Sequence, residues 1–178
     1  MRLRSAPIRL SSPDRMREEG SMSKPITGSC LCGAVAFAIE GKIGPAGQCH
    51  CSKCRKVSGT DGNAVFYTAV GSFRWLRGEA EVARFVVPES DGWTSSFCPT
   101  CGSPAPHADP GGKIYFVPAG LLDDDPGFRG YAAHIFVESK APWVRITDDA
   151  PQYTEGFGSP LVRDGKPRPN GTAGRSGA

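Results

Sequence analysis

Seven cysteines carry most of the chemistry open to this 178-residue chain: Cys30, Cys32, Cys49, Cys51, Cys54, Cys98 and Cys101. They fall into three short groups, C-x-C, C-x-C-x2-C and C-x2-C. An odd number of thiols grouped this way points to metal ligation before disulfides, given that the chain starts without an export signal.

Seven ligands divide as four plus three. A structural zinc takes four protein ligands in a tetrahedron, whereas a catalytic zinc takes three and keeps a position for water or substrate. Cys98 and Cys101, followed by Gly102, form a knuckle that turns backbone amides toward thiolates, and it needs a second pair. Cys30 and Cys32 supply that pair if they stand at the mouth of a strand, where alternate residues point the same way. Joined, the four would clip the start of a sheet to a segment far along the chain.

Cys49, Cys51 and Cys54 remain, close enough in sequence to hold one metal as a tripod. Three thiolates leave a zinc site with a single net negative charge, so one more anion can enter, and a thiolate is the obvious candidate. A substrate thiol held there would lose its proton and become a nucleophile. The chemistry that fits is thiol activation.

Other arrangements use the same residues: one zinc with three idle thiols, disulfides, an iron–sulfur cluster, or a thioredoxin-like pair at Cys51 and Cys54. The redox pair lacks the expected strand before it and long helix after it. No cluster-specific spacing supports iron–sulfur. His50 sits between two proposed ligands and, if those point one way, points the other. His107 and His134 lie on or near strand candidates, where a lone histidine is more often structural.

The elements that must position these groups read mainly as β. AVAFAIE (34–40) alternates Val35, Phe37 and Ile39 with alanines, the period of a strand with one buried face. AVFYTAV (64–70), EVARFVV (81–87), WTSSFC (93–98), KIYFVPA (113–119) and AAHIFVE (132–138) are further strand candidates, rich in β-branched and aromatic residues. SKCRKVS (52–58) could form a turn of helix beside the metal. The 23 glycines and 16 prolines favour turns and short strands.

The length suits one domain, placed at residues 25–157. Residues 1–24 are expected to be a disordered N-terminal extension, with Met16 or Met22 as alternative starts. Residues 158–178 are expected to be a disordered tail, because they end in a stretch with almost no apolar side chains. Each of these two ends carries a net +3, and the stretch between offsets one of them, which leaves the formal charge of +3. The stretch between carries more Asp and Glu than Lys and Arg, which argues against nucleic acid as a partner. No run of about 18 apolar residues exists, so no membrane span is expected. The default compartment is the cytoplasm, where thiols stay reduced.

GSCLCGAV (28–35), CHCSKCRKVSG (49–59), FCPTCGS (97–103) and HIFVESKAPW (134–143), in that order, resemble the glutathione-dependent formaldehyde-activating enzymes, a family that includes centromere protein V. The resemblance covers roughly residues 25–155. It implies a mainly β, Mss4-like (β-tent) zinc domain with two zinc ions per chain. By motif, Cys30, Cys32, Cys98 and Cys101 look like the family's structural ligands, and Cys49, Cys51 and Cys54 like its catalytic set. The implied activity is that of a carbon–sulfur lyase that reversibly joins formaldehyde and glutathione as S-hydroxymethylglutathione.

Arg55 and Lys56, just past the tripod, could receive the carboxylates of glutathione, with Lys140 a weaker candidate. Trp143 is expected to pack, and Asp123, Asp124 and Asp125 to form a solvated turn. The competing reading is a non-catalytic zinc module for a protein or nucleic-acid partner, supported by the basic ends and opposed by the acidic middle.

Overall fold

Phe37 is completely buried, and it organises the sheet around it. The computed structural model describes residues 24–163 apart from 89, 91 and 92. Phe37 lies in β2 (Ala36–Ile39), between β1 (Ile26–Ser29) and β5 (Phe73–Arg77), in a three-stranded antiparallel sheet. Its ring stacks on Phe73 at 5.3 Å between centroids and meets Trp75 edge-on at 6.5 Å. With Ile39, Ala46, Phe66, Val117 and Leu121 these rings form the main core.

The sequence foresees one buried face for β2. The structure buries both, since Ala36 and Ala38 are as enclosed as Phe37 and Ile39. Alanine is small enough to let a second layer approach that face.

A seven-stranded sheet carries the rest, in the order β12 (Leu161–Arg163), β11 (Gln152–Tyr153), β10 (Ala133–Ile135), β3 (Gly47–Cys49), β4 (Asn63–Ala69), β9 (Ile114–Pro118), β8 (His107–Ala108). The hairpin of β6 (Ala83–Val86) and β7 (Thr94–Phe97) forms a third sheet. The helical turn foreseen at SKCRKVS is α1 (Ser52–Ser58). Every strand candidate holds most or part of a strand, shortened by one or more residues at its ends except at the start of β4, which begins one residue earlier at Asn63. β1, β3, β8, β11 and β12 are two to four residues long and exist through pairing rather than propensity.

β10 pairs with β3 in parallel, with Ala133 opposite Gly47, His134 opposite Gln48 and Ile135 opposite Cys49. That register sets HIFVES beside CHCSKC, although 84 residues separate His50 from His134. Among the described residues no helix is long and apolar enough to cross a membrane.

Two expectations need correction here. Asp123 and Asp124 do not form a merely solvated turn. Asp124 accepts from Thr27 N at 2.9 Å, Thr27 Oγ1 at 2.7 Å and Lys24 Nζ at 3.1 Å, and Asp123 accepts from Ser29 Oγ at 3.1 Å. The turn therefore fastens β1. The expected tail is also not structureless throughout, since Leu161–Arg163 pair with β11. The remainder of that tail, and residues 1–23 of the expected extension, lie outside the described residues.

The opposing position to Phe37 on β1 is Gly28. A Cβ there would run into the Phe37 ring and come within 2.8 Å of the Leu121 carbonyl. Gly28→Ala should cost about 1–3 kcal/mol by overpacking, and Gly28→Ala with Phe37→Leu should recover part of that loss. Denaturant midpoints of the single and double variants read the coupling.

The hydrogen bonds from Thr27, first the backbone N–H and then the hydroxyl, hold the Asp124 carboxyl at about 2, below its ordinary value of 3.8. A depressed carboxylate stabilises the fold above its unfolded value, and that contribution is lost as pH falls from about 4 toward 2. The midpoint gap between the wild type and Asp124→Asn should be constant above about pH 4 and narrow below it.

Candidate metal centres

The first cluster joins two turns. Cys30 follows β1 directly, and Gly33, at φ 76°, donates to the Cys30 carbonyl at 2.9 Å to close the first turn. In the second, Gly102, at φ 74°, donates to the Cys98 carbonyl at 2.8 Å. Both turns need positive φ, which glycine adopts without a Cβ clash. Cys30 and Cys32 thus converge by a turn, where the sequence suggested the mouth of a strand.

The four sulfurs lie within 4.8 Å of one another. Cys30 Sγ is 3.6 Å from Cys32 Sγ, and Cys32 Sγ is 3.8 Å from Cys98 Sγ. A Zn–S bond of about 2.3 Å in a tetrahedron gives an S···S edge of about 3.8 Å, whereas a disulfide needs about 2.05 Å. All seven cysteines are free, and these four fit a closed zinc site.

Their environments split the four thiols. The Ser103 hydroxyl and backbone bring Cys101 down to about 5. For Cys32 the Ala34 N–H favours the thiolate, but the Cys101 and Cys30 thiols outweigh it and push Cys32 up to about 12. Burial opposes ionisation of Cys30, yet the Val35 N–H, 3.3 Å from its sulfur, helps bring it below the usual thiol value. Thiols in such contact can all ionise only around a cation.

The second cluster stands at the C-terminal end of β3. Cys49 ends that strand, Cys51 is the N-cap of α1 and Cys54 is the helix's buried residue. Cys51 Sγ accepts from Cys54 N at 3.4 Å, and Gly59, at φ 68°, ends the helix by donating to the Arg55 carbonyl. The three sulfurs lie within 4.8 Å of one another, and no fourth His, Cys, Asp or Glu joins them among the described residues. Hydrogen bonds from the Cys49 and Cys54 thiols drive Cys51 down to about 2. The Cys51 contact in turn raises Cys49 to about 11, and Cys49 and then Cys51 push Cys54 up as well. The donor set and its spacing fit a three-thiolate zinc.

His50 belongs to a different network. It is 1 % exposed, with Nδ1 3.2 Å from the Asp61 carbonyl and Nε2 2.9 Å from His134 Nδ1. His134 Nε2 lies 3.0 Å from both oxygens of Asp148. The Asp61 carbonyl can only accept, so His50 Nδ1 donates to it, and burial lowers the pKa of His50. Neither Asp148 nor Asp61 shows its role in the sequence: the fold brings Asp61 to His50 where the chain enters β4, and Asp148 to His134.

The residues proposed to hold glutathione separate. Arg55 Nη2 donates to the Ser139 carbonyl at 3.2 Å, and its Nε is buried, so this side chain docks α1 onto the 137–139 turn. Lys56 is exposed on the far side of α1. Lys140 Nζ donates to the Val144 carbonyl at 2.8 Å. Trp143, expected to pack, is 77 % exposed. Phe136, which leads into the 137–139 turn, holds φ at 56°, a strained conformation for an aromatic residue.

A family described as glutathione-dependent formaldehyde-activating enzyme matches residues 25–139, a span that holds all seven cysteines. No curated protein matches the chain. Among solved structures, the crystal structure of a Rhodobacter sphaeroides protein is similar at 23 % identity with a TM-score of 0.46, covering 56 % of this chain and 91 % of that one. With the family's match running over well more than half its length, the chain belongs to the glutathione-dependent formaldehyde-activating enzyme family.

Proposed function

We propose that the protein is a zinc-dependent carbon–sulfur lyase that reversibly joins a small thiol, with glutathione the family's own, to formaldehyde or a related aldehyde. The observation that carries this reading is the contrast between the two clusters: four sulfurs that close a coordination shell and three that leave it open. An Mss4-like fold with the four-cysteine site at its apex belongs to the same proposal. Its support is that Cys30 and Cys98 pack with Val35, Trp75 and Val82, so the first cluster is part of a core. Seven free thiols require a reducing compartment, and the cytoplasm is the proposed one.

A zinc ion held by Cys49, Cys51 and Cys54 would supply the positive charge that keeps an incoming thiol deprotonated at neutral pH. The thiolate sulfur attacks the carbonyl carbon and the C–S bond forms. The electron pair of the C=O bond moves to oxygen, which takes up the proton the thiol released, and the reverse reaction retraces these steps. The chain fixes the geometry in three ways. The Cys51 cap and Gly59 set the ends of α1, the Arg55–Ser139 bond docks the helix, and the His50–His134–Asp148 chain ties the CHC segment to β10.

Zinc counting tests the division. The wild type should hold two zinc ions per chain, and Cys51→Ser should hold one with its fold retained by circular dichroism. Only the wild type should accelerate hemithioacetal formation above the buffer rate. One zinc in the wild type, or loss of both with unfolding in Cys51→Ser, would sink the reading. Cys98→Ser should instead unfold the domain, since structural zinc binding is folding free energy.

A further inference from the structure

The two clusters differ in what holds them. Two sulfurs of the first are buried in a core, and each of its turns closes on a glycine, so that site carries its own support. The second has no such support. Cys49 and Cys51 are half-buried, and α1, at seven residues, is too short to stand as a helix without tertiary contacts. Its geometry must be imposed from outside.

One segment makes contact before, within and after the three ligands. Ile135 lies opposite Cys49, and its carbonyl accepts from His50 N at 2.9 Å. The Ser139 carbonyl accepts from Arg55, the residue after Cys54. Between these contacts stands Phe136, whose left-handed backbone is fixed from both sides. Its N–H donates to the Glu155 carbonyl at 2.8 Å, and its carbonyl accepts from Ser139 N at 3.1 Å. Strain of this kind persists only where surrounding contacts over-determine it, and it clusters at functional sites. Here it is the corner that lets one segment reach both ends of the tripod.

The most enclosed of these contacts is made by His134. Cys51 remains extended, so alternation turns Cys49 and Cys51 to one side and His50 to the other. There His50 Nε2 meets His134 Nδ1 at 2.9 Å, the two rings stack at 5.1 Å between centroids, and Asp148 lies 3.0 Å from His134 Nε2. His134 is 3 % exposed, with the Tyr131 ring edge-on at 5.4 Å. A buried imidazole that loses its partner is costly, so the pair admits one position for His50 and, one residue to either side, for two of the ligands.

We propose that His134, with Asp148 behind it, is a positioning residue for the thiol reaction: without touching the metal, it sets how tightly the open site holds zinc. The inference rests on the reading of the tripod as a three-thiolate zinc site and names the residues that keep it in shape. Groups that hold metal ligands in place are worth about 10- to 100-fold in metal affinity. The first cluster makes none of these contacts and is not expected to respond.

Competition with a chromophoric chelator on the full-length, zinc-loaded protein reads the two sites separately, and cobalt substitution adds the absorption bands of each. His134→Ala should weaken the second zinc about 10- to 100-fold, leave the first unchanged and shift the cobalt bands of the three-cysteine site alone. His134→Asn, which keeps a hydrogen-bonding group near the place of Nδ1, should recover most of that affinity. Asp148→Ala should weaken the second zinc less, and should add little once His134→Ala is present, because it acts through that ring. Equal affinity for the second zinc in every variant, with only the unfolding midpoint lowered, overturns the proposal. If His134→Ala does not fold, Asp148→Ala decides, since that side chain is 45 % exposed, and an unchanged second zinc there overturns the proposal as well. A wild type that holds one zinc overturns the tripod reading itself, whereas two zinc ions with unresponsive variants overturn the positioning role alone.

Discussion

Sulfur atoms held 3.6 Å apart within one turn, and 3.8 Å apart between that turn and another 66 residues along the chain, are the constraint on which this fold depends. Each thiolate repels its neighbours, and only a cation at the centre turns that repulsion into a tether. The tether is needed because the apolar core is small. Seven buried residues form the main cluster, and the second consists of Cys30, Val35 and Cys98 with a few half-buried neighbours. Cys30 and Cys98 therefore double as core side chains, and in the β1–β2 turn Val35 is the other apolar anchor of comparable burial.

The open site depends on a different constraint, the parallel pairing of β3 with β10. That pairing is three residues long, yet it fixes where three groups of side chains go. Alternation along β3 and its extension sends Cys49 and Cys51 to one side and Gln48 and His50 to the other. His50 then meets His134, which in turn meets Asp148. Buried imidazoles are tolerated there because each ring nitrogen in the chain has a partner.

What the sequence discloses about this site follows from distance along the chain. The four-plus-three grouping is legible because ligands of one metal come in pairs two or three residues apart. α1 is legible because Cys51, Cys54 and Gly59 mark its start, body and end. β5 carries a readable signal too, with the rings of Phe73 and Trp75 two residues apart and Arg74 between them, although it is not among the expected strands. The clamp from Asp124 to Thr27 spans 97 residues, and nothing in LLDDDPG distinguishes a clamp from a solvated turn. His134 and Asp148 are illegible for the same reason. Trp143 misleads in the other direction, since an aromatic residue inside a family motif suggests packing while its ring stands in solvent.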